Sequence, residues 1–177
     1  MTLNEIMVDA LVQLDRSSDP AMLKRYRTAF TSYANDAVQD IADDFRLSKT
    51  EKVTLTDGAF AISDLSDICT KIVNIERMPW KVVGDTVFVD VRENGRTEVI
   101  VQYRYLPATL SNDTDTPGIP EQFHRLIAPY VVARYRAGGD ADTQGTASVY
   151  FSVYNEKKRR LMRQYGQHSD YQLVNIY

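Results

Sequence analysis

The stretch from Asp19 to Phe45, DPAMLKRYRTAFTSYANDAVQDIADDF, constrains the fold of this chain more than any other. Its apolar residues fall at Met22, Tyr26, Ala29, Phe30, Tyr33, Ala37, Val38, Ile41, Ala42 and Phe45. Gaps of three and four put them on one face of a helix. Lys24, Arg27, Ser32, Asn35, Gln39 and Asp43 take the opposite face. Asp19 is placed to cap the first turn, and Pro20 at the first helical position gives up no donor the helix needs. The helix is about 40 Å long at 1.5 Å per residue. An apolar stripe of that length requires other elements laid along it.

The flanking sequence offers them. Thr2 and Glu5 have the spacing of a capping box, and Leu3, Ile6, Met7, Ala10, Leu11 and Leu14 form the apolar face of a short first helix. After Phe45 the period drops toward two, and residues 48–107 read as an inserted antiparallel β sub-domain. Val53–Leu55 ends at the turn dipeptide Asp57-Gly58. Ala59–Ile62 and Ile68–Ile75 are extended candidates, although Ile68, Ile72 and Ile75 fit neither period. Trp80–Val83 turns at Gly84-Asp85. Thr86–Val91 and Thr97–Tyr105 look like a hairpin. A three-residue Glu93-Asn94-Gly95 loop would set Val89 opposite Val99 and Val87 opposite Val101, which predicts a type I turn with Gly95 left-handed. Along the second strand Val99, Val101, Tyr103 and Tyr105 share one face.

Leu106 to Gly118 reads as a polar loop. Its Asp113 and Asp115 lack the glycine and distal glutamate of a calcium loop. Helical spacing returns at Pro120, with Pro129 predicting a kink near residues 125–129. Gly138-Gly139 ends that helix. A second one, opened by Asp140 and Asp142, carries Ala147, Tyr150, Phe151, Tyr154, Leu161 and Tyr165 on one face. The short connection makes an antiparallel helical hairpin. Gln167 to Tyr177 reads as an extended tail. The expected fold is therefore α+β: a helical body from residues 1–47 and 119–166, the β sub-domain, and the tail.

The chain offers little chemistry. Its 177 residues suit one domain, and 44% hydrophobic content supports a packed core. No apolar run reaches the roughly 20 residues of a bilayer span, and the first residues lack the pattern of a signal peptide, so no membrane is expected. One cysteine forbids an internal disulfide and, with two histidines, leaves no zinc spacing. His124 has no nucleophile beside it, His168 lies in the tail, and Cys69 reads as an inert buried thiol. No phosphate loop or nucleophile elbow is present, so neither an enzyme nor a cofactor is expected. The acids Asp40, Asp43 and Asp44 oppose the dipole at the end of the long helix and face either water or a partner's basic surface. The run Lys157, Lys158, Arg159, Arg160, followed by Arg163, admits two readings. One is a solvated face suited to the last turns of a helix; the other is contact with phosphates or an acidic protein surface. The eleven tyrosines suit a half-buried core or subunit interfaces equally well.

The layout of short helix, long helix, inserted β block and IPEQFHRLIAPYVVARYRAGGDADTQGTASVYFSVYNEKKRRLMRQYG resembles the head–tail adaptor (connector, or head-completion) proteins of tailed bacteriophages. The residues that carry the likeness are Pro120-Glu121, Phe123, Tyr130 to Tyr135, Asp140 to Asp142, Tyr150, Tyr154 and Lys157 to Arg163. The extended Val-x-Tyr-x-Tyr-x-Pro of Val101 to Pro107 precedes them. The resemblance implies a non-enzymatic virion protein of the neck, made in the host cytoplasm, that forms a commonly twelve-fold ring beneath the portal. Its implied partners are the portal protein, copies of itself, the next neck or tail protein, and DNA passing through the channel. Leu173, Val174, Ile176 and Tyr177 are then expected to dock on the portal or a neighbouring subunit, with Lys157, Lys158, Arg159, Arg160 and Arg163 as a basic contact surface. A tail-completion (terminator) ring protein and a non-viral protein-binding module are the alternatives.

Overall fold

The computed structural model describes residues 1–76, 78–91, 96–139 and 141–165, without the side chains of 141–143 and 165. It forms two compact units, one built from Met1–Phe45 and the chain from Leu110 onward, the other from Arg46–Thr109. The fold is α+β, with four α-helices and two three-stranded antiparallel sheets among the described residues.

In the first unit, α1 spans Leu3–Gln13 and starts with the reciprocal Thr2–Glu5 capping box. The long helix α2 spans Pro20–Asp44, and the Asp19 carboxylate accepts from the Met22 N–H at 2.9 Å. Tyr26, Phe30, Ala34, Ala37, Val38, Ile41 and Ala42 form its buried face. A 3-10 turn, Glu121–Leu126, leads into α3, Ile127–Ala137. The expected kink is thus a change of helix type just ahead of Pro129. The proline falls in the first turn of α3, where a missing N–H leaves no bond unmade. Ile127, Ala128, Pro129, Val131, Val132 and Ala133 of α3 are all buried, and the helix packs against α1, α2 and α4, Ala141–Tyr165. A helix apolar on most sides belongs at the centre, so α3 is the middle of this unit and α2 one of its walls.

Polar residues on the outward side of α2 hold the loop that follows Thr109. The Asn35 amide donates to the Leu110 carbonyl at 3.0 Å and accepts from the Leu110 N–H at 2.7 Å. Arg27 binds the Ser111 carbonyl and the Asp113 carboxylate. The Asp113 and Asp115 carbonyls in turn accept from the first N–H groups of α1. The loop that reads as a solvated connection is therefore a cap for one helix and a clamp on another.

In the second unit, β1 (Ser48–Thr54), β6 (Glu98–Leu106) and β3 (Ile68–Ile75) form one sheet in the order β1-β6-β3. The second sheet, β2-β5-β4, joins Ala59–Ala61, Thr86–Val89 and Trp80–Val83. The expected pairing of the Thr86 and Thr97 strands does not form. Val87 lies opposite Phe60 and Val82, whereas Val101 lies opposite Glu51 and Ile75. Val87, Val89, Val99 and Val101 nevertheless share one core, with Phe60, Ile72, Ile75 and Tyr103. The apolar match is real, but it lies face to face between two sheets rather than edge to edge within one. The Glu93-Asn94-Gly95 turn and Gly166 lie outside the described residues.

Two bulges in β3, between Cys69 and Lys71 and between Ile72 and Asn74, explain why its isoleucines keep no period. Ile72 and Ile75 are both buried although three apart, while Ile68 is exposed. The Asp57-Gly58 turn does form, with both residues at positive φ (53° and 76°), as a two-residue type I′ hairpin loop requires. β1 starts well before Val53 because Ser48 to Lys52, with no apolar residue, still pair along β6.

Candidate contact surfaces on the helical unit

Helix α4 follows the Gly138 cap of α3 and packs along it through Ala147, Tyr154 and Leu161. Residues seven apart return to the same face after two turns. Lys158 follows Tyr154 by one turn and therefore points the same way, inward. Lys157, Arg160 and Gln164 share a second face, and Arg159 and Arg163 a third. The cationic run is thus split three ways by helical geometry.

The inward branch closes the seam with α2. Lys158 is only 7% exposed. Its Nζ lies 2.6 Å from Oδ2 of Asp40 and 2.6 Å from Oδ2 of Asp44, and 5.0 Å from the centre of the Tyr154 ring. The Tyr154 hydroxyl donates to the same Asp40 oxygen at 2.5 Å. Asp40 and Asp44 are one turn apart and would repel each other on α2 alone; the ammonium between them removes that repulsion. Asp40 and Asp44, both partly exposed, are thus paired within the chain, and Lys158 is taken out of the exposed basic set. Burial, then the hydrogen bond to Asp40, pushes the Tyr154 phenol far above its usual range. Burial alone would lower Lys158, but its bonds to Asp40 and Asp44 outweigh it and the net shift is upward. A phenol kept neutral and an ammonium kept charged make poor bases and nucleophiles at neutral pH. The cluster fastens two helices.

The second branch borders a recess of about 360 Å³ between the 3-10 turn and α4, lined by Arg125, Leu126, Lys157, Arg160, Leu161 and Gln164. Arg125 and Gln164 were not singled out in the sequence. Gln164 is seven residues after Lys157, so the helical period alone places it there; nothing local marks Arg125, two residues after Phe123. The third branch, Arg159 and Arg163, is exposed and does not line the recess.

Other candidates resolve into structure. His124 is 4% exposed, and its Nε2 lies 2.9 Å from the Ile119 carbonyl, which leaves that nitrogen to donate. Cys69 is half-buried, and burial raises its thiol above the ordinary value. Asp115 accepts from the Ser111 and Asn112 N–H groups at 2.8 and 2.7 Å. Among the described residues no group of three His, Cys, Asp or Glu side chains could hold a metal ion, and no helix is long and apolar enough to cross a membrane. Of the tyrosines with described side chains, Tyr26, Tyr103 and Tyr154 are buried and Tyr33, Tyr105, Tyr130, Tyr135 and Tyr150 half-buried. They pack within the chain: Tyr26 stacks on Phe30 at 5.3 Å and meets Tyr135 edge-on at 5.4 Å. Leu173, Val174, Ile176 and Tyr177 lie outside the described residues.

A family comparison gives this arrangement its context. The family model described as SU10 adaptor protein matches residues 1–174, nearly the whole chain. The chain belongs to the SU10 adaptor family. It is a phage head–tail adaptor, a structural component of the virion. No curated protein matches it in sequence. Lys157, Arg159, Arg160 and Arg163 of α4 are exposed, as is Arg125 of the 3-10 turn, which lines the recess with Lys157 and Arg160.

Proposed function

We propose that the adaptor forms a ring of its own copies beneath the portal, extends the DNA channel, and gives the next neck or tail protein its docking surface. The family match across residues 1–174 carries this reading. The helical unit supports it: Asp40, Asp44 and Lys158 are spent on joining two helices, and four exposed cations, Lys157, Arg159, Arg160 and Arg163, sit together near the end of α4. The four exposed cations of α4 face the portal or the channel. Leu173, Val174, Ile176 and Tyr177 dock on the portal or a neighbouring copy, where their apolar side chains leave water.

Phage grown without the gene test this. The expected products are DNA-filled or leaking heads that carry no tails, restored to infectious particles by the wild-type chain supplied in trans. Complete tailed particles in the absence of the chain would overturn the proposal. Deletion of residues 167–177 is expected to abolish joining while leaving the helical unit folded by circular dichroism.

A further inference from the structure

The recess beside α4 differs from an ordinary charged helix face. Its floor is apolar, with Leu126 fully buried and Leu161 6% exposed. Its rim is cationic, from Arg125, Lys157 and Arg160, and no acid among the described residues lines it. Among the described residues, the ion pairs use other cations. Among the described residues the Arg125 guanidinium donates to the Gln122 carbonyl, at 3.3 Å. Lys157 and Arg160, three residues apart, are a mildly repulsive pair, and neither takes part in an ion pair among the described residues. Lys158, one residue away, has two carboxylates. The difference leaves a positive, partly apolar hollow whose complement is negative and partly apolar.

We propose that this recess is a socket for a peptide segment of another particle protein, one that inserts an apolar side chain between flanking Asp or Glu residues. The apolar side chain would cover Leu126 and Leu161, and the acids would pair with Arg125, Lys157 and Arg160. A volume of about 360 Å³ lies within the range of small binding pockets. Nucleic acid fits less well. A phosphate backbone is read by charge alone, and it would leave the leucine floor unused, whereas a side chain removed from water there adds hydrophobic energy. The inference deepens the adaptor reading and rests on it only for the owner of the segment.

The test uses the purified full chain and fluorescence anisotropy with a labelled Glu-Glu-Leu-Phe-Glu-Glu peptide. Saturable binding is expected. The Lys157→Glu/Arg160→Glu variant should weaken it by about tenfold or more, as loss of close charge pairs does. Arg159→Glu/Arg163→Glu makes the same change in net charge outside the recess and should weaken it by less than about threefold. Gln-Gln-Leu-Phe-Gln-Gln and Glu-Glu-Gly-Gly-Glu-Glu should each bind about tenfold worse, because each lacks one half of the complement. Arg125→Gln, on the 3-10 turn, repeats the test without altering α4. No saturable binding, equal losses from the two double variants, or equal binding of the glycine peptide would each overturn the socket. So would a short DNA duplex that displaces the peptide and itself depends on Lys157 and Arg160. Portal does not enter this measurement, so its failure leaves the adaptor reading standing, and a failure to assemble on portal leaves the peptide result standing.

Discussion

Each unit of the adaptor holds a tyrosine hydroxyl against a carboxylate, in different company. In the helical unit Tyr154 donates to Asp40, and Lys158 binds the same oxygen and reaches Asp44 as well. In the β unit Tyr103 donates to Glu51 at 2.7 Å, and the Ser66 hydroxyl adds a second bond at 2.9 Å. There the nearby cation, Lys49, is engaged by Asp67 at 2.7 Å. One carboxylate is satisfied by a buried charge and the other mainly by neutral donors. The lesson is one of dependence. Removing the cation leaves two acids one turn apart on α2 with their mutual repulsion unrelieved, whereas removing one neutral donor leaves Glu51 with others.

The sharpest way to break this contrast is Lys158→Met, which keeps the apolar stem and deletes the charge. Breaking a buried pair costs about 3–5 kcal/mol. With Asp40 and Asp44 partly exposed, a loss of about 2 kcal/mol is expected, read from urea unfolding followed by far-ultraviolet circular dichroism. Tyr103→Phe in the β unit should cost less, about 1 kcal/mol, read from the fluorescence of Trp80, the one tryptophan of the chain. Arg159→Met, on the same helix as Lys158 but facing outward, should change stability by less than about 0.5 kcal/mol. Equal losses from Lys158→Met and Arg159→Met would erase the distinction between the inward and outward cations.

Acid should then act on the Glu51 cluster and base on the Lys158 cluster. The Tyr103 hydrogen bond, against an opposing burial effect, holds Glu51 below its ordinary value of 4.5. Its contribution is complete above that value and is lost as pH falls through the lower folded one. The Lys158 shift is upward from 10.5. Its contribution is complete below that value and is lost as pH rises through the higher folded one. Unfolding midpoints taken across pH should therefore show Trp80 reporting a Glu51-dependent loss in acid that Glu51→Gln removes. The helical signal should show a Lys158-dependent loss in alkali that Lys158→Met removes.

The two units also differ in how far the sequence reveals them. Helical caps are local, so Thr2, Glu5, Asp19 and Pro20 place two helix starts, and the three-and-four spacing places the buried face of α2. Strand partners are not local. Alternation along Thr86–Val89 and Glu98–Leu106 marks which side chains point inward, but the same alternation serves a hairpin and two facing sheets. The bulges in β3 and the polar start of β1 carry no sequence period at all. On the surface, a run of four cations reads as one patch until the hundred-degree step of the helix separates Lys158 from its neighbours. Its acidic partners, Asp40 and Asp44, lie far back in the chain, where they read as solvated.

The central claim is that this chain acts by fitting between other parts of the particle, so the most direct measurement is electron cryo-microscopy of the full chain mixed with purified portal protein. The account predicts a closed ring of chains against one end of the portal, with residues 167–177 in contact with it or with a neighbouring copy. Bare portal rings beside free monomers would contradict it.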